Sequence, residues 1–278
     1  MPRLLIFGQG FTGGRLAAAC RADGWQVTGT GREVRDGVLP FERGRPLPLP
    51  ALAGVTHVVA SIPPDADGDP VLDVHGEALA MLPSLAWVGY LSTTGVYGDH
   101  GGAWVDEDSE CRPAAARSQR RLAAEEAWLG WGAAAKTPVQ VFRLAGIYGP
   151  GRSPLDRVRT GKAQRIVKPG HLFGRIHVDD IVQVVRAGMA KPDAGPVFNV
   201  ADDEPAAPAD VLTYAAGLLG VEPPPEVAFA DADLSPMARS FYADNRRVRN
   251  DRVKRELGVV LQYPTFREGL RALAAGTP

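Results

Sequence analysis

Short apolar runs alternate with amphipathic stretches along most of the first two thirds of the chain. Each run is nearly continuous in apolar or β-branched residues, which is typical of strands buried on both faces of a parallel sheet. Six strands are predicted in this way, over 3–8, 25–30, 55–61, 86–92, 139–145 and 197–201. Helices are predicted between them, over 11–22, 71–83, 114–131 and 178–190. This alternation predicts an α/β protein whose parallel sheet is connected by crossover helices.

The pattern changes after residue 201, where helical stretches near 208–219, 245–256 and 265–275 are joined by proline-rich loops. We therefore predict two domains. A Rossmann dinucleotide-binding domain comprises 1–151 and 176–202, and a smaller substrate-binding lobe comprises 152–175 and 203–278. Ligands of open α/β sheets bind beyond the carboxyl ends of the strands, so the lobe is expected to close that cleft.

Composition narrows the class of protein. The 278 residues are 45% hydrophobic and 23% charged, with a formal net charge of −1, which gives no general attraction to nucleic acid or to an anionic membrane. No stretch approaches the roughly 18 apolar residues of a membrane span, and the apolar run at the start is too short for a signal peptide. We predict a cytoplasmic protein with no nucleic-acid or membrane partner. The five histidines show no paired ligand spacing, so no metal site is predicted.

A glycine-rich turn follows the first predicted strand directly. Gly8, Gly10 and Gly13 match G-x-G-x-x-G, and Phe11 and Thr12 open the following helix. In such turns the first glycine permits a tight bend, the second lets the backbone approach a pyrophosphate, and the third allows close helix–strand packing. The start of the helix offers unpaired N–H groups to the phosphates. A dinucleotide site is predicted here.

The end of the second predicted strand indicates which dinucleotide binds. Arg32 lies about twenty residues beyond the glycines, where an NAD site has a carboxylate for the ribose and an arginine suits a 2′-phosphate. Thr30, at the end of the strand, is neutral, and Glu33 lies beyond the expected place. NADP is therefore favoured and NAD remains possible. The residues predicted to flank the adenosine side of the cleft are Ser61, Ile62 and Pro63.

Four further motifs occur in a specific order. They are YLSTTGVYGD (90–99), FRLAGIYGPGR (142–152), RIHVDDI (175–181) and FNVADDEP (198–205). Together with the glycine turn, this order resembles the extended short-chain dehydrogenase/reductase superfamily, specifically its NAD-dependent epimerase/dehydratase branch. The resemblance implies a doubly wound Rossmann sheet of about seven parallel strands with a smaller C-terminal substrate lobe. It also implies a possible homodimer that would include the helix predicted over 114–131.

The resemblance fails at the family's catalytic pair. The family uses a Ser/Thr after the fifth strand, which maps to Thr93, and a Tyr-x-x-x-Lys pair on the next helix. Here RSQRRLAAE places Arg117 and Arg121 where the tyrosine and lysine are expected. A guanidinium stays protonated, so Arg117 cannot be the general acid/base, although it could clamp a carboxylate or phosphate or polarise a carbonyl. Arg121 could keep the ribose-binding part of the lysine's role. The alternative for both is a solvated helix face.

Four other residues are candidates for the proton donor that would replace the family tyrosine, namely Tyr97, His100, Tyr148 and Tyr242. Tyr148 is preferred because the resemblance places it near the nicotinamide carboxamide. His177 and Asp180 are expected to orient a helix start and tie the two lobes together. The basic segment 165–175 could bind an anionic substrate or be an ordinary basic loop, and 240–258 is predicted to be a salt-bridged helix.

The leading hypothesis is an NADP-binding oxidoreductase or epimerase-like enzyme that acts on a small polar, anionic substrate. In it, Thr93 and Arg117 would hold the substrate oxygen or acid group. The alternative is a protein that binds NADP(H) without turnover, as a redox sensor or regulatory protein, because the family tyrosine is missing.

Overall fold

A computed structural model of the protein describes residues 1–33, 37–161 and 163–276, so 34–36, 162, 277 and 278 of the two predicted domains lie outside the described residues. Its strands are β1 (Arg3–Phe7), β2 (Gln26–Gly31), β3 (Val38–Pro40), β4 (His57–Ala60), β5 (Trp87–Thr93), β6 (Trp104–Val105), β7 (Val139–Leu144), β8 (Gly146–Tyr148), β9 (Arg165–Val167), β10 (Arg175–His177), β11 (Val197–Val200), β12 (Glu226–Ala228) and β13 (Arg247–Val248). Its helices are α1 (Phe11–Ala22), α2 (Pro70–Ala80), α3 (Ala116–Ala135), α4 (Pro154–Arg159), α5 (Val178–Ala190), α6 (Pro208–Leu218), α7 (Pro236–Phe241), α8 (Asp251–Leu257) and α9 (Phe266–Ala274).

Seven strands form one central sheet in the order β11-β7-β5-β4-β1-β2-β3. Every neighbouring pair is parallel. The six strands predicted from the apolar runs all lie in this sheet, and the expected Rossmann architecture of seven strands is confirmed. The strand order reverses between β1 and β4, which opens a crevice at the carboxyl ends of the strands, where such folds bind their ligands.

The sheet separates two apolar layers because side chains alternate along each strand. Leu4 and Ile6 of β1 face the layer that contains α1 and α5. Leu5 and Phe7 face the layer that contains α2 and α3. All four side chains are fully buried, so both faces of the sheet are covered. The two helical layers hold the ends of β1 and β5, which carry the candidate site, in fixed positions.

Two of the segments that differ from the sequence-based prediction have a clear physical reason. β3 is not among the six predicted strands, because three residues that end in a proline form only a short edge strand. The helix predicted over 245–256 is wrong in its first part. There β13 pairs in parallel with β6, and α8 begins at Asp251. The charge pairs expected in this region are present, since Arg252 lies 2.6 Å from Asp108 and 3.9 Å from Glu256.

The C-terminal elements have an apolar cluster of their own. Leu155 of α4, Val211 of α6 and Phe266 of α9 are buried together in it. β9 pairs in parallel with β12 outside the central sheet. The boundaries of the two predicted domains stay a prediction. Within 1–33, 37–161 and 163–276, none of the helices has the length and apolar character needed to span a bilayer.

Candidate functional site

Two hydrogen bonds join the glycine turn to the end of β2. Gly8 has a φ of +90°, in the left-handed region that favours glycine. Its N–H donates to Thr30 Oγ1 at 3.0 Å, and the N–H of Gln9 donates to the Thr30 carbonyl at 2.7 Å. Thr30 is fully buried. The last residue of β2 with a buried side chain therefore holds the glycine turn in place.

The other two glycines differ in what surrounds them. A Cβ on Gly13 would lie 2.9 Å from the Gly8 carbonyl oxygen, so a side chain there would force the helix away from the strand. A Cβ on Gly10 would meet nothing within 4 Å. Gly10 also caps α1 without a side-chain hydrogen bond, and the first turn of α1 contains no acidic residue. The geometry fits a pyrophosphate bound at the open helix start.

Ser61 and Ile62 lie beside this turn, as the sequence predicts. The Ser61 N–H donates to the Phe7 carbonyl at 2.9 Å, and Ile62 Cγ1 would lie 3.0 Å from a Cβ on Gly8. Pro63 follows and is exposed. These residues form the wall of the cleft next to the first strand.

The remaining predicted cofactor residues lie at either side of the turn. Thr12 is 8% exposed and packs inside the start of α1. Phe11 is half-buried, and the Arg152 guanidinium lies 5.6 Å above its ring. Arg32 is exposed directly after β2. The predicted cofactor residues therefore gather around the carboxyl ends of β1, β2 and β4, although their contacts with a dinucleotide remain predictions.

Thr93 ends β5 and is half-buried. Its Oγ1 accepts a hydrogen bond from the Gly95 N–H at 3.0 Å, so the hydroxyl caps the end of the strand. A hydroxyl that accepts one bond still has a proton to donate. Thr93 can therefore both shape the turn and hold a substrate oxygen.

The two arginines of α3 have different partners. Arg121 is half-buried, and its Nη1 donates to the Tyr90 hydroxyl at 3.1 Å and to the Leu91 carbonyl at 3.0 Å. Arg117 is exposed, but its Nη1 donates to Ser240 Oγ at 2.8 Å and its guanidinium lies 4.4 Å from the centre of the Phe241 ring. Neither side chain is simply solvated. Arg121 faces the end of β5, and Arg117 joins α3 to α7.

The four candidate acids differ in their contacts. The Tyr148 hydroxyl is buried, and a Cβ on Gly269 would lie 2.0 Å from it, so this tyrosine packs against α9. Burial raises the Tyr148 pKa far above its ordinary value. Tyr97 is fully buried and donates to Asn199 Oδ1 at 2.7 Å, in agreement with a structural role. His100 contacts Arg112 at 3.0 Å.

Tyr242 has different surroundings. It is 8% exposed and lines a cavity of the C-terminal part of the chain. Its ring stacks on His171, with 5.4 Å between centroids. Burial raises the Tyr242 pKa, as it does that of Tyr148. Tyr242 differs in its position directly after Ser240 and Phe241, which both contact Arg117.

A buried polar network lies beneath α3, and the sequence patterns did not indicate it. Arg143 of β7 lies 2.8 Å from Glu125 of α3 through Nη2, and its Nη1 donates to the Tyr97 hydroxyl at 2.9 Å. The Ser92 hydroxyl donates to the same glutamate. Glu125 is 1% exposed and Arg143 6%. The network fixes α3 against β5 and β7, and thereby sets the positions of Arg117 and Arg121.

His177 and Asp180 form a second structural cluster, as expected. His177 Nδ1 accepts from the Asp179 N–H at 3.2 Å, and the Asp180 carboxylate accepts from the Gln262 N–H at 2.6 Å and the Tyr263 N–H at 3.1 Å. Desolvation lowers the His177 pKa to about 4 and raises the Asp180 pKa to about 6. These bonds fix the start of α5 to the segment before α9.

The basic segment 165–175 divides into two parts. Arg165 lies 3.3 Å from Glu226 and donates to the Pro224 carbonyl at 2.8 Å. Lys168 donates to the Tyr242 carbonyl. These two side chains are structural, whereas Arg175 lines the same cavity as Tyr242.

Comparison with known proteins agrees with this architecture. Residues 84–201 match the model of the NAD dependent epimerase/dehydratase family. The chain is 30% identical to Protein YeeZ of Escherichia coli strain K12, in an alignment that covers 95% of this chain and 97% of that protein. The chain belongs to the NAD-dependent epimerase/dehydratase family.

Two solved structures share the fold of this chain. A protein of unknown function from Silicibacter pomeroyi is 50% identical, with a TM-score of 0.90 over 99% of both chains. The dTDP-glucose 4,6-dehydratase of Bacillus anthracis, solved in complex with NAD, is 18% identical, with a TM-score of 0.77 over 99% of this chain and 96% of that one. At that identity the second likeness concerns the fold alone. This epimerase/dehydratase family member therefore combines a shared fold with an arginine pair on α3.

Proposed function

We propose that the protein is an NADP-dependent oxidoreductase or epimerase-like enzyme that acts on a small anionic substrate. The observation that carries the proposal is the open start of α1, where Gly10 leaves the helix amides uncovered in a family built on nicotinamide dinucleotides. The family match does not favour the alternative of a non-catalytic sensor. Location in the cytoplasm and assembly into a homodimer remain predictions.

Four groups of residues would hold the dinucleotide. The amides at the start of α1 would bind the pyrophosphate, Ser61 and Ile62 would flank the adenosine, and Arg121 would reach the nicotinamide ribose. Arg32 would bind the 2′-phosphate, since a guanidinium pairs with phosphate through two parallel hydrogen bonds. This last contact is the basis for preferring NADP over NAD.

Replacing Arg32 tests that preference directly. We expect Arg32→Ala to weaken NADPH binding about tenfold, since a charge-assisted phosphate contact is lost, and to leave NADH binding within about twofold. Arg32→Asp should reverse the preference, because a carboxylate repels the phosphate and accepts from ribose hydroxyls. Calorimetric titration of both coenzymes into each variant measures this. Equal losses for NADPH and NADH would contradict the assignment.

Three residues would act at the nicotinamide end of the cleft, each with a different role. When bound, the dinucleotide supplies or accepts a hydride at the substrate carbon. Thr93 donates a hydrogen bond to the substrate oxygen, and Arg117 stabilises negative charge on the substrate with a guanidinium that stays protonated. Because Arg117 cannot exchange a proton, we assign proton donation to Tyr242.

A single-turnover experiment separates the enzyme from the sensor. We test 2-oxo acids and nucleotide sugars one at a time. We expect the fluorescence of bound NADPH to fall when the compound added is the substrate. Thr93→Val should slow that step about 100-fold, which is the usual effect of removing one hydrogen-bond donor to a developing oxyanion. Stopped-flow fluorescence provides the rate. If NADPH binds tightly but no compound accelerates its oxidation, the sensor is the better description.

A further inference from the structure

The C-terminal elements enclose a second cavity, separate from the glycine turn. It has a volume of about 250 Å³ and lies between α4, α6, α7, β9 and β10. Most of its wall is apolar, formed by Pro154, Ile166, Pro208, Val211, Leu212 and Leu234. Ligand sites in proteins usually measure about 300–1,000 Å³. The cavity therefore suits a compact ligand with an apolar body.

Two arginines give this apolar cavity a positive charge. Arg157 of α4 and Arg175 of β10 both line it, together with the neutral polar side chains of Gln164 and Tyr242. None of the described lining residues is acidic. Arg157 forms no ion pair within the described part of the chain. A cavity with this lining attracts an anion.

The backbone fixes the guanidinium of Arg175 in place. Its Nη1 donates to the Phe173 and Ala206 carbonyls, at 3.0 Å each. Asp202, which is 2% exposed, lies close enough to offset part of its charge. Arg175 is therefore a preorganised donor in the cavity wall, whereas Arg157 lies on the exposed side of α4.

One aromatic ring connects the cavity to the arginine pair of α3. Phe241 lines the cavity, and the Arg117 guanidinium stacks on its ring at 4.4 Å. Phe241 is 52% exposed, so the ring forms a wall that is open to solvent on one side. A ligand in the cavity and a group held by Arg117 would therefore be separated by about one ring.

We propose that the cavity binds a small monocarboxylate with a branched aliphatic body. Two guanidinium groups can pair with the two carboxylate oxygens, and the apolar walls would cover the aliphatic part. A phosphate monoester carries a charge of about −1.5 to −2. Because Asp202 offsets part of the charge of Arg175, a carboxylate with a single charge matches this lining better. Binding of the carboxylate does not depend on the proposed function.

Binding of 4-methyl-2-oxopentanoate to the full chain tests the proposal. We expect saturable uptake by calorimetry, and we expect Arg157→Glu to weaken it at least about tenfold, because a donor becomes a repelling charge. Arg157 is exposed, so this change is compatible with folding even if Arg175→Met is not. The matched control is Arg159→Gln, which removes an exposed arginine of the same helix that pairs with Asp156 at 3.6 Å. It should change binding by less than about twofold.

Competing ligands distinguish the other possibilities. Inorganic phosphate and UDP-glucose should not displace the oxo acid. Displacement by either one, lost again in Arg157→Glu, would overturn the choice of a carboxylate. An absence of uptake, or uptake unaffected by Arg157→Glu, would overturn the site itself. NADPH titrations of the same samples report separately on the proposed function.

Discussion

Gly10→Val should weaken NADPH binding at least about 100-fold, equivalent to ~2.7 kcal/mol, while the protein stays folded. The valine side chain would stand where a pyrophosphate must approach the amides of α1, so bound phosphate and side chain exclude each other. The structure leaves the Gly10 position open, with nothing within 4 Å of an added Cβ, so no part of the protein has to move. Calorimetric titration with NADPH measures the loss.

Gly14→Val is the matched control for this change. Gly14 lies in the same helix, one turn further along, and an added Cβ there also meets nothing within 4 Å. We expect its NADPH affinity to stay within about twofold of that of the unaltered protein. Thermal unfolding of both variants checks that the fold is intact. Normal NADPH binding by a folded Gly10→Val protein would mean that the dinucleotide does not lie at this turn.

Glu125→Ala should reduce the free energy of unfolding by about 3–5 kcal/mol, because it leaves the buried Arg143 guanidinium without its carboxylate. The Ser92 hydroxyl would lose its acceptor in the same change. Urea denaturation followed by circular dichroism gives the difference in free energy. The exposed neighbour Glu126 is the control, and Glu126→Ala should alter stability by less than about 0.5 kcal/mol.

A double variant distinguishes the loss of the ion pair from the loss of packing. Glu125→Leu combined with Arg143→Met removes both charges and keeps apolar volume, so it should be more stable than Glu125→Ala alone. If the single and double variants lose equal stability, the cost lies in packing, and the ion pair is not what holds α3. A loss below about 1 kcal/mol in Glu125→Ala would contradict the network's structural importance.

The fold could be predicted to the extent that it depends on local patterns. The six long strands are buried on both faces and therefore appear as continuous apolar runs, which the chain displays directly. β3 has three residues and lies at the edge of the sheet, so it leaves no comparable pattern. Residues 247 and 248 join β6 through backbone hydrogen bonds, for which their own side chains provide no signal.

The candidate site could likewise be predicted only where it depends on local patterns. The glycine turn is local, and its position beside Ser61 and Ile62 follows from the pairing of β1 with β4. The partners of the buried network are distant in sequence, since Tyr97 and Asn199 are 102 residues apart. Arg117 and Ser240 are 123 residues apart, so no spacing rule could have paired them. The motif comparison located Arg117, and only tertiary structure could reveal its partner.

The two hydrogen bonds between Thr30 and the glycine turn have a consequence for how this protein could evolve. Because the last buried side chain of β2 holds the glycine turn, the proposed function would leave discrimination between the two coenzymes to the exposed residues that follow it. Mutations there would then exchange one coenzyme for the other without disturbing the turn. Diversification of coenzyme choice would thus be uncoupled from the integrity of the scaffold.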